Sequence, residues 1–301
     1  MYTNKYNLPV PIFQALTAEN YDPHGDYSTT AIIDSPRIYY LTQRHKEEIV
    51  IEAMDQNYML DGNALHYLLE QVQHPRAMVE ERFLYNIGGR QISMKADLLW
   101  PEDVKKNIFT LYDYKKCSTW VGKLKTPKQE WILQLNLLRL GFHERGLNVV
   151  ACRIAAFYRD WSKLDADINS RGNYPQAPIQ IIPIPMYDLE KTKDYLERRI
   201  RLFDDCKNLS DGDLPECSVS ERWGKDDYYA VVHFKDGVEG KAVAGGGYFS
   251  SEGLASNFLS TCSSPEKKRI QFRAGANKRC DSYCPVRKWC SRFNVVDVDP
   301  F

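Results

Sequence analysis

Residues 88–115, GGRQISMKADLLWPEDVKKNIFTLYDYK, leave the chain few ways to fold. Ile92, Met94, Ala96 and Leu98 alternate with polar neighbours, which predicts a strand with Asp97 on the face opposite the apolar row. In IFTLYDYK the same period places Asp113 and Lys115 on one face, two residues apart. A connection containing Pro101, Glu102 and Asp103 is expected between the strands. Two carboxylates carried to neighbouring strand ends are hard oxygen ligands suited to Mg²⁺, which takes one or two protein carboxylates and keeps several waters. Lys115 beside them could orient a metal-bound water and offset charge developing on a phosphate. On spacing alone, Asp-Tyr-Lys is more often a solvated ion pair worth little.

Length and composition narrow the class. A chain of 301 residues, 43% of them hydrophobic, is long enough for a packed core. Net charge is +0, so any polyanion-binding surface must be local. No run of about eighteen apolar residues exists and MYTNKYNLPV lacks a secretion-signal pattern, so no membrane span and a cytoplasmic location are expected. Three of eight cysteines crowd into KRCDSYCPVRKWC, which in a reducing compartment points to metal rather than disulfides.

Residues 1–25 read as an irregular lead-in. Ser35-Pro36 signals a helix through RIYYLTQRHKEEIVIEAM, and Asp61-Gly62 a second, NALHYLLEQVQ, with Leu65, Leu68, Leu69 and Val72 as its stripe. His66 sits beside that stripe, either a core residue or a ligand. AMVEERFLYNIGG reads as a strand entering a Gly-Gly turn, with Glu80 near its start. In PKQEWILQLNLLRLGFHERG, Trp131, Leu135, Leu138 and Phe142 recur at helical spacing, with Gln134 beside them. NYPQAPIQIIPIPM suits an edge strand or loop. DLEKTKDYLERRIRLFDDC is an amphipathic helix, with Arg198, Arg199 and Arg201 expected in solvent.

Towards the C-terminus, YYAVVHFKDG and KAVAGGGYFSSEGLAS predict a hairpin and then a helix. Cys280, Cys284 and Cys290 follow, with Cys217, Cys117, Cys152, Cys206 and Cys262 available as a fourth ligand. Four thiolates close either a structural zinc site or a [4Fe-4S] cluster. Around the triad, residues 266–292 hold nine lysines and arginines against Glu266 and Asp281, a local nucleic-acid track or a solvated tail.

The succession GNALHYLLE, VEERF, QISMKADLL, LYDYKKCSTW and EWILQLNLLRLG resembles the PD-(D/E)XK nuclease superfamily. More closely it looks like the RecB-like branch, with its CRISPR-adaptation nucleases and phage-encoded exonucleases. The resemblance covers almost the whole chain, including SPRIYYLTQRH and DWSK. It implies an α/β fold, a mixed central sheet flanked by helices, with a cysteine-stapled C-terminal extension. Three segments are implied: a helical lead-in over 1–60, a nuclease core over 61–205 and the extension over 206–301. The implied metal ligands are His66, Asp97, Asp113 and the Tyr114 carbonyl, holding Mg²⁺ or Mn²⁺. Lys115 would be the catalytic lysine, Gln134 the helix glutamine, and Glu80 an upstream acid with a supporting role. Cys217, in LPEC followed by ERW, resembles the family's remote cysteine, and the family favours [4Fe-4S] over zinc at Cys217, Cys280, Cys284 and Cys290. The chain departs from the family at Lys116 and Cys117, where a small residue follows the lysine, and at Leu138, where a tyrosine is common. The implied function is a metal-dependent DNA nuclease, an exonuclease on single strands or ends in replication, recombination or repair. A homo-oligomer and, for a phage-encoded protein, a bacterial host cell go with it. The alternatives are a DNA-binding recombination accessory with the same fold and no chemistry, and a zinc-stapled interaction module.

Overall fold

The computed structural model describes residues 1–18, 24–71, 74–124, 126–170 and 172–292, which divide between two compact units, Met1–Ser210 and Asp211–Phe301. Among the described residues no helix is long and apolar enough to cross a membrane.

The first unit is mixed α/β. Its central sheet runs in the order Tyr27–Ser28, Arg90–Asp103, Ile108–Cys117, Asn148–Tyr158, Ile179–Ile184, and Met78–Ile87 also pairs with Arg90–Asp103. Met78–Ile87 and Ile108–Cys117 lie antiparallel to Arg90–Asp103, whereas Asn148–Tyr158 is parallel to Ile108–Cys117. Ile179–Ile184 forms an edge strand, the position in a sheet where Pro183 costs least. The glutamine helix Gln129–Glu144 buries Trp131, Leu135, Leu138 and Phe142, and Gly146, at φ 78, ends it. Gly141 on this helix admits close approach: a Cβ there would lie 2.4 Å from Met94 Sδ and 2.7 Å from the Phe83 ring.

Several expectations are corrected. The lead-in contains a helix, Val10–Thr17, and Tyr2–Thr3 pairs in parallel with Ile51–Glu52; Asn20 and Pro23 lie outside the described residues. The helix from Pro36 ends at Arg44, and the chain beyond it is drawn to the N-terminal segment, where Ile51–Glu52 pairs with Tyr2–Thr3 and the Ile49 carbonyl accepts the Met1 amino group. The histidine helix is Asn57–Leu69, begun four residues before Asp61 by a 3₁₀ turn, Ala53–Gln56. Leu68 on it is exposed, so the stripe narrows to Leu65 and Leu69, while Val72 lies outside the described residues. Pro101, Glu102 and Asp103 belong to the strand Arg90–Asp103 rather than to a connection. Arg199 is not solvated: its guanidinium donates to the carbonyls of Ile32 (2.8 Å) and Asp34, at the end of the helix Thr29–Ile33.

In the second unit Tyr228–Lys235 pairs antiparallel with Val238–Ala242 and with Lys268–Arg273. The hairpin turns at Asp236 and Gly237, both with positive φ, as an Asp-Gly turn requires. The helix Glu252–Thr261 covers this sheet through Ala255 against Val231 and Val243. A separate two-residue ladder joins Gly224–Lys225 to Ala276–Asn277.

Candidate active site

Strand register builds the site. Glu80 falls opposite Asp97 in the pairing of Met78–Ile87 with Arg90–Asp103, and the ladder is interrupted at that pair. The next antiparallel ladder begins at Leu98 opposite Tyr112, so one step beyond it Asp97 meets Asp113. Glu80, Asp97 and Asp113 therefore form one row across three strands. Like charges in a row oppose strand pairing, and the backbone yields where they meet. Glu80 takes a left-handed φ of 51, a strained value for a non-glycine residue inside a strand. Asp97 Oδ2 accepts the Tyr114 N–H at 2.7 Å, a side chain replacing a ladder bond.

The interruption also changes which helix the strands meet. Phe83 and Met94 crowd Gly141 of the glutamine helix, whereas Val79 and Leu98 cluster with Tyr114, Ala155 and the histidine-helix residues Leu65 and Leu69. Strict period two would have kept Met94 and Leu98 against one layer. The structure instead switches layers across Asp97.

Leu65 and Leu69 seat the histidine helix so that His66 stands over the row. His66 Nδ1 is 2.8 Å from Glu80 Oε1 and 3.8 Å from Asp97 Oδ1, with its ring edge on Tyr114. Among the described residues, the histidine, cysteine and carboxylate groups whose ligand atoms all lie within 4.8 Å of one another are His66, Glu80 and Asp97. Asp113, buried, receives Gln134 Nε2 on Oδ1 at 2.9 Å. Its Oδ2 lies 2.6 Å from Lys115 Nζ but receives no well-directed hydrogen bond, so it is a buried oxygen with a charge partner only. Tyr114 lies opposite Ala155 in the parallel ladder and supplies its N–H to the site. Lys95 pairs with Glu80 Oε2. Sequence reasoning missed Lys95, although its spacing of two from Asp97 was available as a signal.

Electrostatics match this crowding. Burial, then the Asp113 charge, pushes the Asp97 carboxyl up to about 7. The hydrogen bond to Glu80 raises His66 against the opposing effect of burial. Burial pulls Lys115 down, but Asp113 and Asp97 outweigh it and leave the ammonium raised. Burial pushes Glu80 up, and His66 and Lys95 together bring it below its ordinary value. Three acids thus face three basic groups in a largely buried space. The donor set of carboxylates with one imidazole fits a hard divalent cation, the imidazole favouring Mn²⁺ over Mg²⁺.

In the second unit the hydrogen bonds of Arg222 bring the segment after Cys217 beside the helix Lys278–Ser282. Arg222 Nη1 donates to the Cys217 carbonyl (2.6 Å), Nε donates to Asn277 Oδ1 (2.9 Å), and the Arg222 carbonyl accepts the Arg279 N–H (3.1 Å). Cys280 is pushed up by burial and by Cys290, and Cys284 by burial with Cys280 and Cys290 nearby. Among the described residues no three cysteine sulfurs come within 4.8 Å of one another. Cys117, Cys152, Cys206 and Cys262 are free thiols, of which Cys117, Cys152 and Cys206 lie in the first unit.

No family model and no curated protein matches this chain. Among solved structures, the crystal structure of SSO0001 aligns with a TM-score of 0.43 and 17% identity, over 64% of this chain and 84% of that one. A likeness at that level carries no argument about activity.

Proposed function

We propose that this chain is a divalent-metal-dependent deoxyribonuclease of the PD-(D/E)XK type, RecB-like, acting on single strands or DNA ends. The observation that carries the reading is the row Glu80, Asp97, Asp113, its two aspartates buried and Glu80 half-buried, with His66 over it and Lys115 2.6 Å from Asp113. Burying two carboxylates side by side is costly in a protein that does not use them. Mg²⁺ or Mn²⁺, held by His66, Asp97 and Asp113 with Glu80 beside them, would supply Lewis acidity and a water of lowered pKa. The chain's own groups do the rest. Gln134 fixes the Asp113 carboxylate, the Tyr114 N–H fixes Asp97, and Glu80 orients the His66 ring. Without a cation, Asp113 and Asp97 hold Lys115 protonated, and its ammonium would offer a charge to the phosphate oxygens.

In the second unit, Cys217, Cys280, Cys284 and Cys290 are read as the staple of the C-terminal extension. Tetrahedral zinc draws its sulfurs to within about 3.8 Å of one another. The resemblance favours the bulkier [4Fe-4S] cluster over zinc at these thiols. A brown protein with stoichiometric iron supports that assignment, and a colourless zinc protein refutes it.

The deciding assay is degradation of end-labelled single- and double-stranded DNA with Mg²⁺, Mn²⁺ or EDTA, comparing wild type with Lys115→Ala. Metal-dependent cleavage lost in the variant upholds the reading. A wild type that binds DNA and cuts nothing with any metal makes the chain a binding accessory instead.

A further inference from the structure

The second unit exposes an aromatic pair that the chemistry above does not use. Trp223 and Tyr283 are 51% and 59% exposed, with ring centroids 5.6 Å apart. The Arg279 guanidinium lies 5.4 Å from the Trp223 ring, and Lys278 Nζ lies 5.9 Å from the Tyr283 ring. Trp223 also adopts a left-handed φ of 51, a strained conformation for so bulky a residue, one position before Gly224. Strain accepted to hold a half-exposed indole is not explained by core packing, and strained backbone concentrates at working sites.

A second station lies along the same ribbon. Tyr228 and Tyr248 stack at 4.9 Å with planes 27° apart, Tyr248 is exposed, and the Arg273 guanidinium is 5.8 Å from the Tyr228 ring. Pairing of Gly224–Lys225 with Ala276–Asn277, and of Tyr228 with Arg273, places both stations on the strip formed by residues 223–228 and 273–283. Five residue steps of chain join Trp223 to Tyr228, up to about 17 Å when extended. Three acids lie on the strip, Asp226, Asp227 and Asp281, of which Asp227 accepts the Gly275 N–H at 2.6 Å, against the cations Lys225, Arg273, Lys278 and Arg279.

Flat exposed rings flanked by cations are the chemistry that holds unpaired bases by stacking and their phosphates by charge. A duplex offers phosphates but hides its base faces, and an acidic peptide would use the cations and leave the rings idle. We infer that the Trp223–Tyr283 pair with Lys278 and Arg279, continued by Tyr228 and Tyr248, is a binding track for single-stranded nucleic acid. The track does not depend on whether the first unit cuts.

The test uses the full chain with no Mg²⁺ or Mn²⁺ added, so that cleavage is not read and any metal of the second unit is kept. Fluorescence anisotropy follows labelled oligo(dT), oligo(U) and a matched duplex at several salt concentrations. Oligonucleotide should bind more tightly than duplex, and either sugar meets the expectation. Trp223→Gly and Tyr283→Ala should each weaken binding about tenfold with the salt slope kept, while Lys278→Ala should reduce the slope by about 0.7. Glycine suits the left-handed backbone, so Trp223→Gly should keep or raise the melting temperature, which separates lost stacking from lost folding. The assignment is overturned if both aromatic variants bind oligonucleotide within twofold of wild type, or if duplex binds as tightly as single strand. A chain that binds through these residues but never cuts sinks only the nuclease reading.

Discussion

The acid row of the first unit and the cysteine region of the second hold their polar groups in opposite ways. In the row, Asp97 and Asp113 are buried, and each functional side chain is held by a hydrogen bond, from Gln134 to Asp113, from the Tyr114 backbone N–H to Asp97, and between Glu80 and His66. In the second unit Cys280 and Cys290 are buried and Cys217 and Cys284 half-buried, but the rings of Trp223, Tyr283 and Tyr248 in the same unit face water. The first arrangement suits chemistry on a small charged group held away from solvent. The second suits a staple with a contact surface. Buried like charges cost stability that a bound cation can return, whereas exposed rings and cations cost little until a partner arrives.

The largest expected effect tests the staple. Cys280→Ser, or removal of its metal, should abolish folding of the second unit, since metal binding in such sites is on the order of 10 kcal/mol of folding energy. Differential scanning calorimetry should lose one transition and retain that of residues 1–210. An unchanged thermogram would reduce the cysteines to ordinary thiols.

Lys115→Ala should lower cleavage by roughly 10²–10³-fold, the usual cost of removing one preorganised charge from a developing oxyanion. Circular dichroism should show the fold intact. Comparable loss from a surface lysine such as Lys105 would remove the distinction between buried and exposed charge.

Asp97 gives the pH dependence. Its folded pKa of about 7 is raised from 3.8, so between these values the native state holds a proton that the unfolded chain has lost. Stability of the metal-free protein should therefore fall as pH rises from about 4 to about 7, by up to a few kcal/mol. Urea unfolding in EDTA should show this slope, and Asp97→Asn should flatten it and unfold later than wild type at pH 8. A slope of the opposite sign would mean that Asp97 is not buried beside Asp113.

The smallest effect concerns packing. Gly141→Ala would place a methyl against Met94 Sδ and the Phe83 ring, and overpacking of this kind costs about 1–3 kcal/mol. A midpoint unchanged in urea would show that the glutamine helix is not seated so tightly on the row.

Much of this molecule is legible in its local patterns, and the exceptions share a cause. The helices Gln129–Glu144 and Leu189–Cys206, the Asp-Gly hairpin and the edge strand follow from periodicity and turn chemistry, which involve residues close in sequence. The adjacency of Asp113 and Lys115 is likewise a matter of period two on one strand. Misread elements were those where neighbours in space overrule local preference: the helix that stops at Arg44, the strand that continues through Pro101, and Arg199 drawn onto two carbonyls.

The site divides along the same line. Sequence by itself determined that acids, a lysine and a histidine were present on strands and helices of the right kind, because alternation and helical spacing are short-range properties. Only the tertiary structure decided that Glu80, Asp97 and Asp113 share one row, that His66 meets Glu80, and that the strands change layers between Met94 and Leu98. Register between strands is set by pairing across the sheet, and a one-residue slip would move every one of those side chains to the other face.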